Sequence, residues 1–163
     1  MDIRVEEPDD FEAVHALIGA AFDSEGEVAL VRQLRDVVGT ISLVATGEGQ
    51  VLGHILFSVC DVQGVPAMAL APVAVRPDAQ RQGVGKALVW AGLDACREAG
   101  QRLVIVLGHP SYYPKFGFIR AQPLGIMSPW KVSDPHYMVL ELVEGALEGV
   151  SGTVSYHPAF SEV

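Results

Sequence analysis

The chain has 163 residues, half of them apolar, and a formal net charge of −9. That composition fits one globular domain with its own core, and the acidic balance argues against general nucleic-acid or anionic-membrane binding, which depend on basic fields. The acidic start MDIRVEEPDD lacks a signal-peptide layout and the longest apolar run, 65–75, is too short for a bilayer, so the expected location is the cytoplasm.

After an alternating start at Ile3 to Val5, Pro8 and Asp9 precede FEAVHALIGAAF, where Phe11, Val14, Leu17, Ile18 and Ala21 recur at helical spacing and predict an N-capped helix. Val28, Val31 and Leu34 predict a second helix over 27–37. ISLVAT, a Gly-Glu-Gly turn and VLGHILFSVCDV read as a β-hairpin, and Gln63-Gly64 turns the chain into MALAPVAV. MALAPVAV is apolar on both faces, as a covered strand should be, yet Pro72 cannot donate to a ladder, so the strand is expected to be locally unzipped there. Val84, Ala87, Leu88, Ala91 and Ala95 predict a helix closed by Gly100, and the β-branched RLVIVLG follows. Strand, loop, helix and strand make a right-handed βαβ unit with parallel strands. HPSYYPKFGF reads as a turn or short helix, YMVLELVEG as a strand, and GTVSYHPAF as one more. Cys60 and Cys96 are single and far apart, which predicts buried, inert thiols in a reducing compartment.

Between the unzipped strand and the third helix stands QRQGVGKAL, residues 80–88. A Walker loop needs glycine where Gln80 stands and serine or threonine where Ala87 stands, and a dinucleotide fingerprint needs glycine at Leu88. What remains is physical. Gly83 and Gly85 let backbone amides converge at a helix N-terminus, where unpaired N–H groups and the positive end of the dipole bind anions. Arg76, Arg81 and Lys86 put three of the eleven basic residues within this stretch of an acidic chain. With no magnesium ligand, such a loop suits a pyrophosphate held for anchorage.

Gln80-x-x-Gly83-x-Gly85 after an apolar strand, with Tyr113-x-x-Phe116-Gly117-Phe118 after the next, resembles the acyl-coenzyme A signature of the GNAT superfamily of N-acetyltransferases. The resemblance covers about Ile3 to Leu142. GHPSYYPKFGF and the C-terminal stretch resemble an uncharacterised bacterial branch, in which aspartate is common where this chain has His109. The resemblance implies an α/β fold of mixed α+β type: a central mixed sheet of six to seven strands, splayed at strands 4 and 5 and flanked by about four helices. It implies a single acyltransferase domain over 1–163, with a core over 3–142 and a C-terminal extension over 143–163. Acetyl-CoA is the implied co-substrate. Its pantetheine would pair with backbone near Val73 and Val75, and its pyrophosphate would take the amides of Arg81, Gln82, Gly83, Val84, Gly85 and Lys86.

The implied reaction is direct attack of an amine on the thioester through a tetrahedral intermediate. The Val73 N–H would hold the oxyanion. Tyr113, with Tyr112 as its neighbouring competitor, would protonate the thiolate. For the base, Glu25, Glu27, His54, His109 and an ordered water all stay open. The five histidines lack metal-ligand spacing, so no metal is expected. The acceptor is an amine of a small molecule or of a protein, with Trp130 a candidate wall of its site; a homodimer stays open. The alternative is an acyl-CoA-binding sensor or docking module with little catalysis, and a third reading is an acyltransferase with a longer acyl group or an oxygen acceptor.

Overall fold

The computed structural model describes residues 1–23 and 25–162. The chain divides into two compact units, of which the first comprises Met1–Ser58, Ala71–Asp94 and Pro158–Val163. It holds strand β1 (Asp2–Val5), helices α1 (Phe11–Phe22) and α2 (Gly26–Leu34), strand β2 (Ile41–Gly47), most of β3 (Gln50–Val62), the end of β4 (Val65–Val75) and most of helix α3 (Val84–Glu98).

β1 pairs antiparallel with β2, and β2 with β3. The β2–β3 turn needs two residues of positive φ, and Glu48 (52°) and Gly49 (76°) supply them, the pattern of a type I′ hairpin. Gln63 (49°) and Gly64 (86°) repeat it between β3 and β4. The Asp10 carboxylate closes the 3-10 turn Pro8–Asp10 that precedes α1, accepting the Glu7 N–H at 2.7 Å and both outer nitrogens of Arg4 at 2.7 and 2.9 Å, and α1 itself lacks the expected side-chain N-cap. α1 spans the residues that periodicity predicts, but α2 stops at Leu34 and not Val37. Val37 N–H (3.0 Å) and Thr40 Oγ1 (2.8 Å) both donate to the Leu34 carbonyl, which closes the helix early.

Val14, Leu17 and Ile18 of α1 and Val28, Val31 and Leu34 of α2 bury against Val44, Leu56 and Ala74 of the strands. Side chains alternate along β3, so Leu56 and His54 point to this face, and Gly53 and Phe57 to the other. There α3 lies so close that a Cβ on Gly53 would stand 2.9 Å from Val84 Cγ1 and from Leu88 Cδ1. Gly92 of α3 sits on the Phe57 ring, where a Cβ would stand 2.2 Å from Cε1.

The second unit comprises Val59–Leu70 and Ala95–His157. α3 ends in it, with Gly100 at φ 82° and the Gln101 N–H returning to Cys96 O at 2.9 Å. β4 pairs in parallel with β5 (Leu103–Leu107), Met68 with Val104 and Ala69 with Ile105. β8 (Tyr137–Glu141) runs antiparallel to β5, from Leu103↔Glu141 to Leu107↔Tyr137, and β6 (Ile119–Arg120) pairs with the far side of β8. β7 (Ile126–Met127) pairs with β9 (Gly152–Ser155), which pairs with the end of β3. The strand order is β1-β2-β3-β4-β5-β8-β6, with β7 and β9 to the side. The fold is therefore the expected α/β mixed sheet, with two corrections. Among the described residues there are nine strands, because the two-residue β6 and β7 are too short for periodicity to reveal, while β9 falls in the stretch GTVSYHPAF that the sequence marks as a strand. There are also three α-helices, the place of a fourth being taken by a 3-10 turn, Tyr113–Phe116. β4 runs as a strand through Pro72, and the Ala71–Pro72 bond is cis.

Candidate active site

In the first unit, residues 76–83 carry the chain from β4 into α3. The Arg76 N–H donates to Leu52 O of β3 at 2.8 Å. Peptide groups alternate along a strand, so the N–H and C=O of Val75, and of Val73, point away from β3. The Gln80 side chain donates to Val75 C=O at 3.1 Å and ties the loop to the strand. Arg81 (φ 65°) and Gly83 (φ 84°) adopt left-handed backbone, and a Cβ on Gly83 would meet nothing within 4 Å. The first α3 hydrogen bond runs from Ala87 N–H to Gly83 O, 3.0 Å, so the amides of Gly83, Val84, Gly85 and Lys86 precede the helical ladder. These residues fit a pyrophosphate: open space, unladdered donors and the positive end of a 15-residue helix coincide. Gly85 lies within the helix and has no positive φ to explain it. Of the three basic residues the sequence groups here, Arg81 and Lys86 are exposed. Arg76 is engaged elsewhere, with Asp78 Oδ1 (2.5 Å) and Gln50 Oε1 (2.7 Å).

In the second unit, Tyr113 is 7% exposed and opens the 3-10 turn that Gly117 (φ 103°) ends. Its ring meets Tyr112 and Phe118 edge-on, with centroids 5.1 and 5.6 Å away. Burial, with Tyr112 beside it, pushes the Tyr113 hydroxyl up to about 12, so it is protonated at neutral pH. Tyr112 is half-buried and its hydroxyl is raised by burial. Gly108 anchors this corner: its N–H donates to His136 O at 2.8 Å, and the Tyr113 N–H donates to His109 O at 3.3 Å. The His109 and His136 rings lie 6.2 Å apart, and His136 Nδ1 is buried with no hydrogen-bond partner among the described residues. The sequence reading passes over His136, because only the β5–β8 pairing brings it to the end of β5.

The candidate bases differ in setting. Glu25 is exposed at the start of α2, Glu27 is half-buried in its first turn, and His109 is exposed. His54 is wholly buried and belongs to a network that the sequence does not announce. Glu6 accepts Arg35 Nε (2.9 Å), Arg35 Nη2 (2.8 Å) and Ser42 Oγ (2.9 Å), and Arg35 Nη1 lies 3.0 Å from His15 Nε2. Since Ser42 gives its proton to a carboxylate, it accepts from His54 Nε2–H at 2.8 Å. Burial, against the opposing pull of Glu6, pushes His54 down to about 4. Burial works to raise Glu6, but Arg35, His54 and Ser42 outweigh it and hold the carboxyl below its ordinary range. His54 is thus a neutral, fully enclosed imidazole. Trp130 stacks on Tyr156, centroids 4.5 Å apart.

Among the described residues no group of three or more His, Cys, Asp or Glu side chains is arranged to hold a metal, and no helix is long and apolar enough to cross a membrane. Cys60 and Cys96 are buried and free, and burial pushes both thiols up to about 12.

The chain is 41% identical over 165 residues to the uncharacterized N-acetyltransferase YhbS of Escherichia coli (strain K12), covering 99% of each. It superposes on the crystal structure of Escherichia coli YhbS in complex with CoA with a TM-score of 0.93 and 38% identity, over 98% of this chain and 91% of that one. A GNAT family acetyltransferase from Brucella melitensis, solved with acetyl-CoA, gives 0.80 and 33% over 98% and 97%. The profile of the acetyltransferase (GNAT) family matches residues 7–118, and the chain belongs to that family of acyltransferase enzymes.

Proposed function

We propose that this enzyme transfers the acetyl group of acetyl-CoA to a primary amine of a small molecule or protein, in the cytoplasm, with residues 1–163 acting as one catalytic domain. The observation that carries the reading is the start of α3, where unladdered amides face open space beside Gly83. The amides of Arg81, Gln82, Gly83, Val84, Gly85 and Lys86 hold the pyrophosphate, and the outward backbone of Val73 and Val75 pairs with pantetheine. The Val73 N–H steadies the oxyanion, and Tyr113 gives its proton to the departing thiolate. That acetyl-CoA and CoA bind two relatives at 33% and 38% identity supports the choice of co-substrate.

The test is calorimetric titration with CoA, followed by thiol release from acetyl-CoA over a panel of amines. Gly85→Val is expected to abolish CoA binding and leave the circular dichroism and Tm near those of the unaltered chain. Equal loss of fold and affinity would make the glycines turn residues only. CoA binding without thiol release over the whole panel would identify an acyl-CoA-binding module instead.

A further inference from the structure

Within the second unit, the stretch from Pro110 to Met138 supplies every residue lining a groove of about 490 Å³. The volume lies within the roughly 300–1,000 Å³ of small-ligand sites. Phe118 and Met138, 2% and 1% exposed, form the buried part of the wall, and Leu124 stands at the exposed rim. Four of the nine lining residues are prolines, whose fixed φ limits how far the wall can relax when empty.

Charge in this stretch runs against that of the chain. Residues 110–138 carry Lys115, Arg120 and Lys131 against Asp134 alone, a formal +2 with His136 neutral, in a chain of −9. Of these four, only Arg120 lines the groove. β6 pairs antiparallel with β8, Arg120 opposite Met138, and residues directly opposite share a face of the sheet, so both side chains border the same space. Arg120 Nε lies 3.5 Å from Asp134 Oδ1, yet that oxygen has no hydrogen-bond partner among the described residues, so the ion pair holds the arginine loosely. The guanidinium has a second two-donor edge, Nη1 and Nη2, to which no described residue hydrogen-bonds. Such an edge matches a carboxylate, which accepts two parallel N–H···O bonds.

We propose that this groove binds a small amphipathic carboxylate, its apolar body against Phe118, Leu124 and Met138 and its carboxylate on Arg120. An exposed arginine alone pairs weakly with any anion, and an apolar wall alone selects no head group. Side by side they select one charge on one kind of body. The inference uses no group of the α3 loop and stands apart from the acetyl-transfer reading.

The experiment titrates 4-phenylbutyrate, 4-phenylbutylamine and butyrate into the full chain labelled at its methionine methyl groups, with affinity read by calorimetry and position by NMR. 4-Phenylbutyrate is expected to bind roughly tenfold or more tightly than the amine, which reverses the charge, or butyrate, which lacks the ring. It should move the Met138 methyl signal and leave that of Met68, on β4 and outside the lining, in place. Arg120→Gln should bring acid and amine within about twofold of each other, and Leu124→Asn should weaken 4-phenylbutyrate by roughly fivefold. The Arg120 side chain is 58% exposed and Leu124 39%, so both variants should keep the Tm of the unaltered chain. No binding of 4-phenylbutyrate, equal affinity for acid and amine, or an unmoved Met138 signal overturns the inference, and the unaltered chain alone gives these results. A tenfold preference for the acid that persists in Arg120→Gln overturns it as well.

Discussion

The Tyr113 ring lies against Gly108 so closely that a Cβ there would stand 2.3 Å from Tyr113 Cε2. Gly108→Ala must displace a ring that Tyr112 and Phe118 hold from other sides. Overpacking of this kind costs about 1–3 kcal/mol. Tyr113→Phe, in contrast, keeps the ring and removes the hydroxyl. Calorimetry is expected to show a lower Tm for Gly108→Ala and a nearly unchanged one for Tyr113→Phe. Thiol-release assays should show both slowed, Tyr113→Phe by roughly a hundredfold if its proton transfer limits turnover. An unchanged maximal rate in Tyr113→Phe would remove it from the mechanism.

Gly92 meets Phe57 more closely still, at 2.2 Å for a notional Cβ. Gly92→Ala should lower Tm by several degrees, at roughly 2–4 °C per kcal/mol for a chain of this size. Phe57→Leu alone opens space and is also destabilising. The pair should be less destabilised than the sum of the two, because the shorter side chain makes room for the methyl group. Additive melting shifts would show that helix and sheet do not meet at these residues.

Arg35 bonds both oxygens of Glu6, and the side chains are 10% and 2% exposed. Its guanidinium also stacks over Phe11, 3.7 Å from the ring centroid. Arg35→Ala strands a buried carboxylate, and breaking such a pair costs about 3–5 kcal/mol. Urea unfolding should show a large fall in midpoint. The double variant Arg35→Met, Glu6→Gln should recover part of it, since no buried charge is then left alone.

The same network sets an acid limit on stability. His54 is pushed down to about 4 by burial, while an unfolded histidine titrates near 6.5. Between those values the unfolded chain binds the proton and the folded one does not, so stability is lost as pH falls from ~6.5 toward 4. At roughly 1.4 kcal/mol per pH unit the loss is at most about 3.5 kcal/mol. Glu6, held low, acts in the same direction, since its contribution is lost as pH falls through its folded pKa. Melting scans from pH 7 to 4.5 should show a steeper decline for the unaltered chain than for His54→Gln.

Local chemistry made much of this fold readable. The spacing in FEAVHALIGAAF marks α1 residue by residue, and the two-residue turns at Glu48-Gly49 and Gln63-Gly64 fix the hairpins. The Gln80 loop is legible for the same reason, since its glycines and the helix it opens are neighbours in the chain. What was illegible is non-local. Glu6 and Arg35 are 29 residues apart, Ser42 and Glu6 36 apart, and nothing in either neighbourhood announces the other. His136 sits in a proline-flanked turn without periodicity, and only the Leu107↔Tyr137 register carries it to Gly108. The early end of α2 depended on a threonine hydroxyl six residues beyond it, which a periodicity argument does not weigh.

The single bond from Gln80 to Val75 has a thermodynamic consequence. A loop free to wander gives up backbone freedom, about 1–2 kcal/mol per residue, when it closes on a ligand. Here the first residue of the loop is moored to the strand before it and the last is already wound into a helix, so most of that loss is met when the chain folds. The anion proposed for this loop would therefore find its cradle built, with selectivity resting on the loop's shape.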